Sequence, residues 1–222
     1  QYLVSQRPRM MPEEAILEAL WPGAEADAAH TAFHAAVHAL RKALEPHLDE
    51  ARNSAYILGQ KDRYGLNPRA ECWVDAEEFA RLAHLGKTYQ QTGRIEEATR
   101  ALLEADRLYA GNYLEESPHL EWAAADRERL RQIEIELLLR LGDLMARSDP
   151  HAAINAFRRA IAVEPYCEPA YRGLMRLLAQ TGQRAEALRQ YQLLERTLQQ
   201  DLQVTPSPEV TILYRQLLNQ DA

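Results

Sequence analysis

Thr92-Gly93-Arg94-Ile95-Glu96-Glu97-Ala98 and Thr181-Gly182-Gln183-Arg184-Ala185-Glu186-Ala187 are two copies of one phrase, a Thr-Gly break followed by a charged helix start and an alanine. Gly ends the first helix of each pair, and the small residue lets the second approach it closely. Around the later copy the pattern recurs at a fixed distance. Ala153 and Ala187 stand 34 residues apart, and in the same register Ile154 matches Leu188, Phe157 matches Tyr191 and Ala160 matches Leu194. Such a period means stacked helix pairs, each of which buries its apolar face only against its neighbours.

Working outward, the chain from about Asp75 to the end carries apolar residues at i, i+3, i+4 and i+7 and almost no alternation of period two. Breaks at Thr92-Gly93, Gly111-Asn112, Ser117-Pro118, Asp149-Pro150, Pro165 with Pro169, Thr181-Gly182 and Pro206 with Pro208 cut it into seven helices. The 34-residue spacing is the tetratricopeptide period, which predicts antiparallel pairs in a right-handed superhelix with Ala98, Ala153 and Ala187 at close crossings. Ala98 and Ala187 lie 89 residues apart, two periods plus 21, so the unbroken run from His119 to Met145 is expected to be an overlong helix inserted in the array.

The front of the chain has a different grammar. Pro12-Glu13-Glu14 opens a short helix that Trp21-Pro22-Gly23 stops, and Asp27 is expected to cap a second helix running to about Leu44. Phe33, Val37, Leu40 and Leu44 form its apolar stripe, with Ala36 and Ala43 alongside. Tyr56-Ile57-Leu58, a turn over Gly59 to Asp62, and Arg63-Tyr64-Gly65-Leu66-Asn67 read as a β-hairpin. Short helix, turn, longer helix and hairpin is the order of a winged helix-turn-helix. The fold expected is mostly all-α: a partial winged helix-turn-helix with a small hairpin wing over residues 1–70, then a tetratricopeptide-like α-solenoid over 71–222. Gln1-Tyr2-Leu3-Val4 looks like the middle of a helix, so the sequence reads as a fragment.

Bulk properties narrow the function. The net charge is −7, and within residues 1–70 eight basic side chains face nine carboxylates, so any DNA contact must be local. No apolar run is long enough to span a membrane and no signal-like segment opens the chain, which predicts a soluble, cytoplasmic protein. Cys72 and Cys167 have neither disulfide nor zinc spacing and are expected to be buried free thiols. Trp21, Trp73 and Trp122 read as core or junction residues, and Arg127, Arg129 and Arg131 as a solvated helix face paired with neighbouring glutamates.

The ordered set of motifs resembles the SARP-type bacterial transcriptional activators, a winged helix followed by a bacterial transcriptional activator domain of tetratricopeptide-like helices. Its carriers are Pro12 to Pro22, Phe33-His34 through Leu40-Arg41-Lys42-Ala43-Leu44-Glu45-Pro46, Arg63 to Pro68, Trp73 to Phe79 and Thr205-Pro206-Ser207-Pro208-Glu209. The resemblance implies promoter DNA and RNA polymerase, or another protein, as partners, with self-association a further expectation and no cofactor. Thr31, His34 and Ala39 depart from the Asn, Gln or Arg often found on the recognition helix, so base preference does not carry over.

Physically, Thr31, His34 and His38 on one face of that helix can reach base edges, while Arg41, Lys42, Lys61 and Arg63 can hold phosphates. His30, His34 and His38 recur every four residues, but a helical row is a line and not a tetrahedron, and no carboxylate partner is identifiable, so no metal is assigned. Tyr89, Tyr109, Tyr113, Tyr171 and Tyr191 are the aromatic candidates for a partner-binding concave face. No nucleophile elbow, phosphate loop or dinucleotide fingerprint is present, so the expectation is a non-enzymatic regulator. The alternative is an interaction scaffold whose winged helix no longer binds DNA.

Overall fold

The computed structural model describes residues 1–47 and 54–219. The chain divides into two compact units, Gln1–Trp73 with Tyr113–Arg127, and Val74–Asn112 with the chain from Glu128 on. The grouping of Tyr113–Arg127 with the front of the chain has no signal in the sequence. It rests on Trp122, whose ring meets that of Tyr2 edge-on at 5.2 Å, while within the segment itself the Arg127 guanidinium donates to the Tyr113 carbonyl at 3.0 Å and reaches those of Ser117 and Pro118. Arg127 is therefore a loop clasp and not part of a solvated row.

In the first unit α1 (Tyr2–Ser5) is followed by β1 (Met11–Pro12), α2 (Glu13–Leu20), α3 (Ala26–Leu44), β2 (Ile57–Gln60) and β3 (Arg63–Leu66). The hairpin β2–β3 pairs Ile57 with Leu66 and Gln60 with Arg63, and β1 adds a third antiparallel strand on the other side of β3, opposite Tyr64 and Arg63. That strand is too short to have a period, and its proline is tolerated because it sits at an edge. The hairpin turn is tighter than expected: Lys61 and Asp62 alone make it, at φ 48° and 57°, the left-handed pair that matches strand twist. Gly65 has no Cβ because the carbonyl of Arg9 would stand 3.0 Å from it, so the chain entering β1 crosses directly over β3.

Two details of α3 depart from expectation. Glu25, not Asp27, occupies the N-cap, and Asp27 lies in the first turn, where its charge still complements the helix end. The buried row is Ala29, Phe33 and Val37, packed with Ile16, Leu17, Ile57 and Leu66, whereas Leu40 and Leu44 are 40% and 45% exposed. The next residue of the buried row is Arg41, which meets a strand carbonyl, so the apolar stripe ends one turn early.

The second unit holds α4 (Asp75–Gln91), α5 (Ile95–Leu108), most of α6 (Ala124–Met145), α7 (Pro150–Val163), α8 (Glu168–Gln180), α9 (Arg184–Asp201) and α10 (Pro208–Leu218). Neighbours in sequence pack together: α4 on α5, α7 on α8, α8 on α9, with α10 against both α8 and α9. The run expected as one helix from His119 begins instead with a 3-10 turn at Glu121–Ala123, and α6 starts at Ala124. Both Thr-Gly breaks make the same helix end. Gly93 and Gly182 take φ 75° and 80°, the amides of Arg94 and Gln183 donate to the carbonyls of Tyr89 and Leu178, and those of Gly93 and Gly182 to Gln90 and Ala179. This double bond pattern satisfies carbonyls that the helix cannot. At Asp149-Pro150 the Asp149 carboxylate accepts from the Ala152 amide and Pro150 takes the first helical position.

Close packing in this unit depends on small residues. Ala98, Ala153 and Ala187 have no accessible surface. Phe157 on α7 is seated between Gly142 of α6 and Gly173 of α8, and a Cβ at either glycine would overlap its ring. Beside it lies a charged cluster: Arg159 donates to Asp106 at 2.8 Å and to Glu134 at 3.0 Å, and Glu134 is only 1% exposed. Burial, reinforced by the charge of Asp106 and opposed by Arg159, pushes the Glu134 carboxyl up to about 7. Cys167 is buried as expected, but Cys72 is exposed, and Trp73 is 69% exposed and serves no core. Among the described residues no helix is long and apolar enough to cross a membrane.

Two outcomes follow from this packing. Gly173→Ala should cost about 1–3 kcal/mol in urea unfolding by overfilling the Phe157 notch; an unchanged midpoint would show that the notch is loose. The Glu134 carboxyl binds its proton more tightly folded than unfolded, so its contribution is complete below the ordinary carboxyl range and is lost as pH rises towards about 7. Glu134→Gln should remove up to about 3 kcal/mol of this pH dependence, read from unfolding curves across that window.

Candidate nucleic-acid interface

The outward face of α3 is set by what its inward face buries. With Ala29, Phe33 and Val37 in the core, Thr31, His34, His38 and Lys42 are placed on the exposed side. Thr31 donates its hydroxyl to the Asp27 carbonyl at 2.9 Å, one turn back, which leaves its oxygen lone pairs outward. His34 lies 3.3 Å from a carboxylate oxygen of Glu13, and its ring packs edge-on near Phe33 at 5.3 Å.

The four expected cations divide into two kinds. Lys42 and Lys61 stay exposed, Lys61 at the tip of the wing. Arg41 is half-buried and donates through two nitrogens to the Ile57 carbonyl at 3.2 and 3.0 Å, fastening α3 to β2. Arg63 donates to the Met10 carbonyl at 3.2 and 2.8 Å, fastening β3 to the chain before β1. Both arginines hold the frame of the wing. At the end of α3, Glu45 accepts from the Ser54 hydroxyl and from the Ala55 amide at 3.0 Å, and these bonds, the hydroxyl first, hold its carboxyl below its usual range. The chain re-enters the wing on that contact.

Sequence reasoning missed the role of Glu13. It is the first residue of α2, buried, and its amide donates to the Asp62 carbonyl of the wing turn at 2.8 Å. Its carboxylate meets His30 at 2.7 Å as well as His34. The histidine row was visible in sequence, but the carboxylate lies 17 residues from His30 and only the packing of α2 on α3 brings it there.

The five tyrosines do not make one surface. Tyr171 is 2% exposed and Tyr191 is buried and stacked on Tyr214 at 4.0 Å, so both are core residues, and Tyr113 belongs to the first unit. Tyr89 lies under the Arg94 guanidinium at 4.2 Å and Tyr109 packs against Phe79. The helical unit does present a groove, lined by Ala83, His84, Lys87, Leu102, Leu137 and Arg140, and none of the five tyrosines lines it.

Comparison with known proteins places this geometry. The bacterial transcriptional activator domain matches residues 74–218. The transcriptional regulatory protein MoaR1 of Mycobacterium tuberculosis is 23% identical over 219 residues, 98% of this chain and 70% of the relative. Regulatory protein AfsR of Streptomyces coelicolor is 27% identical over 207 residues, 93% of this chain but 20% of the relative. The solved structure of Mycobacterium tuberculosis EmbR, in complex with a low affinity phosphopeptide, superimposes with a TM-score of 0.82 over 98% of this chain and 57% of that one, at 24% identity, a likeness of fold. A helical unit that this domain covers almost end to end, in a chain that aligns with such regulators over nearly its whole length, means that the protein belongs to the bacterial transcriptional activator domain family and is of the SARP type.

Proposed function

We propose that this chain is the DNA-reading and regulatory part of a transcription activator that acts on promoter DNA in the cytoplasm. The observation that carries the reading is the division of α3: Ala29, Phe33 and Val37 lock one side into the core while Thr31, His34, His38 and Lys42 are presented on the other, beside the wing-tip Lys61. An α-helix so backed fits the major groove, where Thr31, His34 and His38 reach base edges. Lys42 and Lys61 take the phosphates, and Arg41 and Arg63 stiffen the wing that carries Lys61. The helical unit is the surface for RNA polymerase or another protein, and for self-association. No step of this function requires catalysis or a cofactor.

A second reading, a scaffold whose winged helix only packs, is favoured by one observation: two of four expected phosphate-binding cations are engaged with backbone carbonyls. Fluorescence anisotropy of the intact protein on its own promoter at several salt concentrations separates the two. Lys42→Ala with Lys61→Ala should weaken binding to all sequences and flatten the salt dependence by about two ions. Arg41→Ala should instead lower stability by about 1–2 kcal/mol by freeing the Ile57 carbonyl. Unchanged affinity and salt slope in the double lysine variant would favour the scaffold.

A further inference from the structure

Glu13, His30 and His34 turn one donor atom each towards a common point. The three atoms lie within 4.8 Å of one another, with the Glu13 Oε1 2.7 Å from His30 Nδ1 and 3.3 Å from His34 Nε2. We propose that these residues form a binding site for a divalent transition-metal ion of the Zn2+ class, bridging the start of α2 to the outward face of α3. Bonds of about 2.0–2.1 Å to a tetrahedral ion set its ligand atoms about 3.3 Å apart, so modest side-chain adjustments convert this cluster into a coordination set. Two imidazoles and a carboxylate are the donor types such ions prefer, and three protein ligands leave a fourth position for water.

The surroundings favour an ion over a bare hydrogen-bond cluster. Glu13 is buried, and its ion-pair partners among the described residues are the two imidazoles, which carry charge only when protonated. A buried carboxylate without a permanent cation is costly, and a divalent ion removes that cost. The backbone of Glu13 is fixed by its bond to Asp62, and His30 and His34 are one helical turn apart on α3. Only His34 is shared with the face proposed to read bases, so an ion held here withdraws one base-reading side chain while tying the two helices together.

The test is a titration of the intact protein, freed of metal by chelation and dialysis, with Co2+ near neutral pH, followed by displacement with Zn2+. A saturable visible d–d absorption that Zn2+ removes is expected, absent in His30→Ala/His34→Ala and in Glu13→Gln, and retained in His151→Ala, an exposed histidine of the helical unit. His30→Ala alone changes an exposed position, keeps the far-ultraviolet circular dichroism, and should weaken Co2+ binding at least about ten-fold. Absence of the band in the wild type, its persistence in the double histidine variant, or equal affinity in a folded His30→Ala protein would each overturn the site. DNA binding is not part of this readout, so failure here leaves the reading of α3 as a recognition helix standing.

Discussion

Helices joined by short turns can approach only as closely as the residues at their crossings allow, and in the helical unit those residues are alanine and glycine. Ala98, Ala153 and Ala187 have no exposed surface, and the Phe157 ring fills the space that Gly142 and Gly173 leave on two other helices. A large knob between two notches specifies register in a way that uniform leucines would not, because any slip by one residue brings a Cβ into the ring. The Thr-Gly ends at Gly93 and Gly182 then reverse the chain in few residues without leaving carbonyls unsatisfied. The Arg159–Asp106–Glu134 cluster sits within this apolar frame and links it to pH.

The front unit solves a different problem, that of stiffening a small domain with few buried side chains. Among the described residues its hydrophobic cluster has eight buried side chains, with a partly buried rim that includes Trp21, Tyr64 and Trp122. Polar contacts do much of the joining: Arg41 to β2, Arg63 to the lead of β1, Glu45 to Ser54, and the Glu13 amide to the turn of the wing. Each uses a side chain or amide to satisfy a group that the short strands leave open. Charge counting therefore overstates how many of the four expected cations stay unengaged by the backbone. Two of the four are structural, and the remaining lysines stand on a frame those two hold.

Much of this was legible in the residues themselves. The seven helices of the second unit, the hairpin wing and the order helix, turn, helix, hairpin all follow from apolar spacing and from Gly and Pro, whose effects are local. Ala153 and Ala187 are marked by the 34-residue recurrence, and Ala98 by the repeated Thr-Gly phrase. The misreadings share a cause. Leu40 and Leu44 continue a helical stripe, but how far a stripe is covered depends on the extent of the neighbouring sheet, which no spacing encodes. Tyr171 and Tyr191 are candidates for a concave face by residue type, since aromatics suit both cores and grooves, and packing makes them core.

By itself the sequence determined where this chain turns, which of its segments are helical, and that its second part is built from repeated pairs, because period, capping and backbone preference act over a few residues. Tertiary structure alone decided that Arg41 and Arg63 are bonded to backbone carbonyls, how far along α3 the core covers the apolar stripe, and that Glu13 joins two histidines far from it in the chain. Such matters depend on distances between segments remote in sequence, which are fixed only when hydrophobic burial and the demand that every buried polar group find a partner are met together.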